Sequence, residues 1–141
     1  MILLDTNVVS EMMRERPDPD VRGWLRQLPR ANVWTTSVVI AELLAGIESM
    51  PSGRKQKALR EAVEDMIGED FHGQLLNFNL PAARQYALIL ASRRKSGRPI
   101  RELDAQIAAI ARVHGATLAT RNVDDFAGCS LDVVNPWKPV K

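Results

Sequence analysis

Apolar residues fall along this chain in two kinds of pattern, short runs and longer stretches with helical spacing. Short runs of strand length occupy positions 2–4, 33–36, 75–79, 117–120 and 131–134. Stretches in which apolar residues recur every three or four positions, as is typical of helices, occupy 6–14, 20–27, 37–47, 54–66, 81–96 and 102–114. Strands that alternate with helices predict an α/β fold, in which a central parallel sheet carries helices on both faces.

The length and composition of the chain are those of a globular protein. Its 141 residues are 45% hydrophobic and 26% charged, which predicts one domain spanning 1–141. No apolar run approaches the roughly 20 residues that a membrane helix needs. Because the chain enters its first predicted strand at once, we expect no signal peptide. Cys129 is the only cysteine, which excludes an internal disulfide and a cysteine-rich zinc site. These features predict a cytoplasmic protein.

Basic residues are concentrated in two short segments, although the net charge of the chain is only +2. The segment 54–60 is interpreted as a solvated helix face. The second segment is either another such face or a contact for phosphate groups, and it contains Arg93, Arg94, Lys95, Arg98 and Arg101. It begins inside the predicted helix 81–96, whose inward face we expect to carry Ala83, Tyr86, Ala87, Leu90 and Ala91.

Three acidic residues stand where an apolar environment makes a charge costly or where a helix begins. Asp5 directly follows the apolar run 2–4, at the strand end where α/β sheets bind ligands, but it could equally be a turn or capping residue. Glu42 is the one charged residue in the helix 37–47, which is otherwise apolar all round and is predicted to be largely buried. Alternatively, Glu42 reaches the surface rim of the fold or pairs with an arginine. Asp104 lies near a helix start, where an acid also favours the helix dipole.

A fourth polar cluster, at 122–125, follows the predicted strand 117–120. Because the carboxyl ends of parallel strands share one edge of a sheet, we expect this cluster to meet Asp5, Glu42 and Asp104 there. Converging carboxylates repel one another unless a cation neutralises them, and oxygen ligands alone suit Mg²⁺ or Mn²⁺. Such an ion polarises a phosphoryl oxygen and activates water, so the pattern indicates phosphodiester hydrolysis.

Four segments of the chain match a known family in order and spacing. They are MILLDTNVVS at 1–10, SVVIAELLAG at 37–46, DAQIAAIARVHG at 104–115 and LATRNVDDF at 118–126. On these segments the chain resembles the PIN-domain family, specifically the ribonuclease toxins of VapBC-type and FitAB-type toxin–antitoxin systems. The closing Asn135-Pro136-Trp137 is similar to the FitB-like branch of that family. The resemblance spans essentially the whole chain.

This resemblance implies a three-layer α/β/α domain with a central parallel sheet, and an endoribonuclease that depends on Mg²⁺ or Mn²⁺. Asp5, Glu42 and Asp104 match the three core acids of the family, as catalytic residues and as metal ligands. Some members carry an aspartate where this chain has Asn122. Asp125 is therefore assigned as the fourth catalytic and metal-binding carboxylate.

The resemblance also implies side chains that support the acids. Thr6 and Asn7 follow the first acid as in the family, and we expect them to hold Asp5 through hydrogen bonds. Asn122 is expected to ligate or orient water without adding charge. Asp124 matches the pattern less well than its neighbour and is expected to face solvent.

The partners implied by the resemblance are RNA as substrate and a cognate antitoxin that inhibits the enzyme. We expect an arginine of the antitoxin tail to bind the carboxylates, and the rest of the tail to lie in a groove formed by the helices between 37 and 66. Two copies of the chain are expected to form a homodimer, which could join the antitoxin in a larger hetero-oligomer. DNA would be contacted only through the antitoxin, and no membrane is involved.

Two other functional interpretations are open from the sequence. One is a PIN-like module that has lost its metal and acts only through protein contacts, but the set of acids favours the enzyme. The other is a flavodoxin-like or receiver-like phosphoacceptor, which lacks the expected lysine near the last strand and rests on fold analogy alone. The tail 138–141 is expected to be mobile.

Overall fold

The computed structural model describes residues 1–139, and a sheet of five parallel strands lies at its centre. The strands are β1 (Ile2–Leu4), β2 (Val33–Thr36), β3 (Leu75–Leu76), β4 (Thr117–Ala119) and β5 (Val133–Val134). Their order across the sheet is β3-β2-β1-β4-β5, so β1 is central and pairs with both β2 and β4. In this register Leu3 lies between Trp34 and Leu118. The predicted parallel sheet is confirmed.

Six α-helices flank this sheet within the described residues and complete the predicted three-layer α/β/α arrangement. They are α1 (Thr6–Met12), α2 (Pro19–Arg26), α3 (Ser37–Glu48), α4 (Arg54–Asp65), α5 (Leu80–Lys95) and α6 (Glu102–His114). Short helical segments also occur at Arg30–Asn32, Met66–Asp70 and Val123–Phe126. α3 and α4 form a hairpin, and α5 packs along α6. In residues 1–139 no helix is long and apolar enough to cross a membrane.

The hydrophobic core joins the central strands to the inner faces of the helices. Leu3, Leu4 and Leu118 are fully buried, and α6 buries Ile107 and Ile110. Complete burial of a side chain of this size stabilises the fold by about 1.5–3 kcal/mol. Because β1 is covered on both faces, its carboxyl end is held in a fixed place, as is typical of a parallel sheet between helix layers.

The central strands end beside one another in polar residues. Asp5 follows β1, and its Oδ1 accepts a hydrogen bond of 2.8 Å from the backbone N–H of Thr6, so Asp5 caps α1. Thr36 caps α3 by accepting from the backbone N–H of Val39 at 3.0 Å. Since each strand here passes directly into a helix, this edge of the sheet collects polar side chains that satisfy helix amino ends.

Two strands are shorter than the sequence predicted. The strand expected over 75–79 ends at Leu76, because Asn79 instead caps α5 by accepting from the backbone N–H of Ala82. The strand expected over 131–134 consists only of Val133–Val134. The other strands and the helices agree with the predicted bounds within two residues. Of the tail expected to be mobile, the last two positions lie outside the described residues.

The buried face of α5 agrees only in part with the expected one. Tyr86 and Leu90 pack against the core as expected. Ala87 and Ala91 are exposed, however, and Arg93 is buried. An alanine side chain changes the folding free energy little whether it is buried or exposed. The sequence of an alanine-rich helix therefore does not show which of its faces is buried. The burial of Arg93 also contradicts the interpretation of its basic segment as wholly solvated or phosphate-binding.

Candidate active site

Asp5 is the most enclosed acid at the carboxyl edge of the sheet, with 4% of its surface exposed. Its Oδ2 accepts a hydrogen bond of 2.7 Å from the hydroxyl of Thr120, which follows β4. The amide of Asn7 lies 3.5 Å from the same oxygen and also donates to the Thr120 hydroxyl at 3.3 Å. With the bond from the Thr6 backbone, these contacts fix the direction of both carboxylate oxygens. Asp5 is therefore both a helix cap and a member of the acidic cluster.

The environment of Asp5 disfavours its charged form. Burial raises the pKa of the Asp5 carboxyl above its ordinary value, and the charges of Asp104 and Glu42 raise this pKa further. The hydrogen bonds from Thr120 and from the backbone of Thr6 lower it and oppose that effect. A carboxylate kept in such a place is stabilised by any cation that reaches it.

Glu42 and Asp104 approach Asp5 from two different helices. Glu42, on α3, accepts a hydrogen bond of 2.9 Å at Oε1 from the hydroxyl of Thr6. Asp104 is buried in the first turn of α6. Both carboxylates lie within electrostatic range of Asp5. The structure thus brings together the three acids that the sequence placed at this edge.

The burial of α3 is less complete than the sequence predicted. Its first turns are buried, but its second half is only half-buried or exposed, apart from Ile47. The Glu42 side chain is 17% exposed. Glu42 therefore lies at the rim of the core, and it also contacts an arginine, which was the alternative interpretation of this residue.

That arginine is Arg101, which was not predicted to belong to the site. Its Nε and Nη2 donate to the two carboxylate oxygens of Asp104, each at 3.0 Å, and Nη2 also lies 3.5 Å from Oε2 of Glu42. The hydrogen-bonded Asp104 raises the pKa of the guanidinium above its already high value, so Arg101 remains charged. The only signal in the sequence was its position three residues before Asp104, at the start of α6.

The chemistry of these donors fits a hard divalent cation. Three carboxylates supply oxygen ligands alone, which Mg²⁺ and Mn²⁺ prefer. A positive neighbour would also stabilise the charged form of the enclosed Asp5, which burial disfavours. As the side chains stand in residues 1–139, no three acids, histidines or cysteines are grouped closely enough to hold one ion. Arg101 occupies oxygens of two of the three acids. A cation that binds here would compete with this arginine for those oxygens.

The segment that follows β4 is joined to the site through its backbone. The N–H of Asn122 donates to the hydroxyl of Thr120 at 3.1 Å. The side chains of Asn122, Asp124 and Asp125 are exposed, and they line a polar cavity of about 550 Å³. The charges that act on the Asp5 carboxyl are those of Asp104 and Glu42, and the role of Asp125 as a fourth acid stays a prediction.

Arg93 is buried and binds the backbone of the segment that follows β4. It is 5% exposed, and its Nη1 donates to the backbone carbonyls of Asp125 at 2.7 Å and Ala127 at 2.9 Å. Its Nε donates to the carbonyl of Arg98 at 2.6 Å. A buried guanidinium that binds carbonyls rather than a carboxylate is a structural clamp, and it sets the path of the chain around Asp125.

An apolar groove of about 980 Å³ leads away from the acids. It runs between α1, α3 and α4, and its end nearest the cluster is lined by Thr6 and Glu42. The apolar side chains along its length include Met13, Leu43, Ile47, Met50 and Leu59. Charged side chains of the turn after α1 and of α4 also line it, namely Arg14, Glu15, Arg16 and Lys55. The exposed half of α3 forms part of this surface. Glu42 thus belongs both to the acidic cluster and to the groove.

Comparison with known proteins points to one family. The PIN domain family matches residues 2–128. VapC ribonuclease Y4jK from Sinorhizobium fredii is 36% identical over 139 residues, covering 99% of this chain and 99% of that protein. Toxin FitB from Neisseria gonorrhoeae is 39% identical over 137 residues, covering 97% and 99%. A chain in the structure of FitAB bound to a DNA fragment matches with a TM-score of 0.92 at 37% identity, covering 100% of this chain and 99% of that one. This chain belongs to the PIN-domain family.

Proposed function

We propose that this chain is the toxin of a toxin–antitoxin pair and acts as a metal-dependent endoribonuclease that hydrolyses RNA phosphodiester bonds. The observation that supports this most is the meeting of Asp5, Glu42 and Asp104, carried by a strand end and two helices, at one edge of the sheet. Relatives that match nearly the full chain carry the names VapC ribonuclease and Toxin FitB.

The proposed cofactor is Mg²⁺ or Mn²⁺, bound by Asp5, Glu42 and Asp104, with Asp125 as the fourth carboxylate. When bound, such a cation polarises a phosphoryl oxygen and makes a water molecule nucleophilic near neutral pH. The chain itself supplies the orientation of the acids. The Thr120 hydroxyl directs Asp5, and the Thr6 hydroxyl directs Glu42.

The RNA strand needs positive charge beside the acids, because its phosphates would otherwise be repelled. Arg121 and Lys138 line the polar cavity that contains Asp125. The guanidinium of Arg121 also lies 4.9 Å from the ring centre of Trp137, which limits its freedom. We propose that this cavity receives phosphates next to the bond that is cleaved.

The proposed inhibitor is an antitoxin whose tail lies in the apolar groove and reaches the acids at its end. The groove suits an amphipathic segment, since apolar side chains line its length and Glu42 lies at one end. An arginine there could bind two carboxylate oxygens at once. We also propose that the chain forms a homodimer, and that it contacts DNA only as part of the complex with its antitoxin.

The test is cleavage of single-stranded RNA by the purified chain, freed of antitoxin, with Mg²⁺, with Mn²⁺ or with EDTA. We expect cleavage only with metal, and we expect Asp5→Asn, Glu42→Gln and Asp104→Asn each to lower the rate at least a hundredfold. Matched controls are Asp132→Asn and Glu64→Gln, since both side chains are exposed on other parts of the fold. Metal binding without cleavage of any RNA would instead support the alternative of a protein-binding module.

A further inference from the structure

Arg101 lies where its positive charge faces two of the proposed metal ligands. The guanidinium forms a two-pronged contact with Asp104 and reaches Glu42 with the same Nη2. Within residues 1–139 these two acids are its only hydrogen-bond or ion-pair partners. We infer that Arg101 is a counter-cation supplied by the chain itself, which competes with the divalent cation for Asp104 and Glu42 and thereby sets the metal affinity of the site. This inference rests on the proposed function, because it assumes that these acids bind metal.

Arg101 and a cation compete for the same carboxylate. Both oxygens of Asp104 accept hydrogen bonds of 3.0 Å from the guanidinium. A divalent ion bound to these oxygens at about 2.1 Å would bring two positive groups together on one carboxylate. Metal binding therefore weakens or breaks the contact of Arg101 with Asp104, and the interaction that is given up weakens the apparent affinity for metal.

The side chain of Arg101 can move away from the acids, whereas that of Arg93 is held in place. The Arg101 side chain is 66% exposed. Arg101 is the N-cap residue of α6, but its side chain makes no capping hydrogen bond. Arg93, by contrast, is 5% exposed and fixed by three backbone carbonyls. The long flexible stem of an exposed arginine can turn to solvent without moving the backbone. Displacement thus costs ion-pair contacts but no packing.

The test is direct titration of Mn²⁺ into the purified chain, freed of antitoxin, by isothermal calorimetry. We expect Arg101→Gln to bind Mn²⁺ roughly tenfold more tightly than the wild type, since that is the order of effect when a charge-assisted contact no longer has to be broken. Arg101→Lys keeps the charge but loses the two-pronged contact with Asp104. Its affinity for Mn²⁺ should lie between those of the wild type and Arg101→Gln. Arg94→Gln is the matched control, because it removes an exposed arginine of α5, and its affinity should equal that of the wild type.

A second measurement separates competition from a merely structural role. In EDTA, Arg101→Gln should melt at a lower temperature than the wild type, because the acids lose their counter-charge, whereas saturating Mn²⁺ should raise its melting temperature by more than it raises that of the wild type. Unchanged or weaker Mn²⁺ binding by Arg101→Gln, in a protein whose binding is lost in Asp104→Asn, would overturn the inference and leave the proposed function standing. If neither the wild type nor Arg101→Gln binds Mn²⁺, the metal-dependent function itself fails, and the inference fails with it.

Discussion

Replacing Thr120 with valine removes a single hydroxyl from the most enclosed part of the site. Thr120 is fully buried, donates to Asp5 at 2.7 Å, and accepts from the Asn7 amide and the Asn122 backbone N–H. Valine has nearly the same shape, so the substitution leaves no cavity and changes only the hydrogen bonds. Asp5 then keeps its burial but loses the nearest side-chain donor that stabilises its charge.

The size of the effect follows from the charge of the acceptor. A hydrogen bond to an ionised group contributes about 1.5–3 kcal/mol to stability. The two donors that lose the Thr120 oxygen can turn to water, because Asn122 is exposed and Asn7 is half-buried. For a chain of this length, 1 kcal/mol corresponds to roughly 3–5 °C in melting temperature. Thr120→Val should therefore lower the melting temperature in EDTA by about 5–15 °C, whereas Thr120→Ser, which keeps the hydroxyl, should lower it much less.

The pH dependence identifies Asp5 as the cause. Since the folded pKa of Asp5 is raised above its unfolded value, ionised Asp5 costs stability at neutral pH, and this cost fades as the pH falls through the folded pKa. Loss of the Thr120 bond raises that pKa further, so the deficit of Thr120→Val should be full at pH 7–8 and shrink towards pH 4. Urea unfolding at several pH values measures this. Equal stability of the valine and serine variants, or a deficit that does not change with pH, would refute the reasoning.

Three further substitutions test neighbouring parts of the site. Asp125→Asn should reduce RNA cleavage more than Asp124→Asn; both side chains line the same cavity, so equal losses would show that the assignment of the fourth acid is wrong. Arg93→Met should destabilise the fold by about 2–4 kcal/mol in urea unfolding, because the carbonyls that it binds lose a buried charged donor; an unchanged midpoint would contradict its role as a clamp. Thr6→Ala should slow cleavage several-fold with little change in melting temperature, and Thr6→Ser should restore the rate if the hydroxyl that directs Glu42 is responsible.

The fold and two of the clustered acids, Asp5 and Glu42, could be predicted because their signals are local, whereas Asp104 was assigned through the family resemblance. An apolar triplet that ends in Asp5 predicts a buried strand with a carboxylate at its end, whatever the rest of the chain does. Glu42 interrupts an apolar helix, and its charge is costly without a partner. Once the alternation of strands and helices gives a parallel sheet, these positions share one edge. The convergence of the acids is then a consequence of topology, and no contact has to be known in advance.

The partners of these acids could not be predicted in the same way, because nothing in their own surroundings marks them. Thr120 stands 115 positions from Asp5 and looks like any threonine at a strand end. Arg93 and Arg101 lie in one basic segment, yet one is buried against carbonyls and the other pairs with the acids. Whether each arginine is buried depends on which face the alanine-rich α5 turns to the core and on how the chain enters α6. The pattern of charges in the sequence determines neither. A costly charge is thus visible in the local sequence, whereas the group that stabilises it acquires its role only when the fold brings the two together.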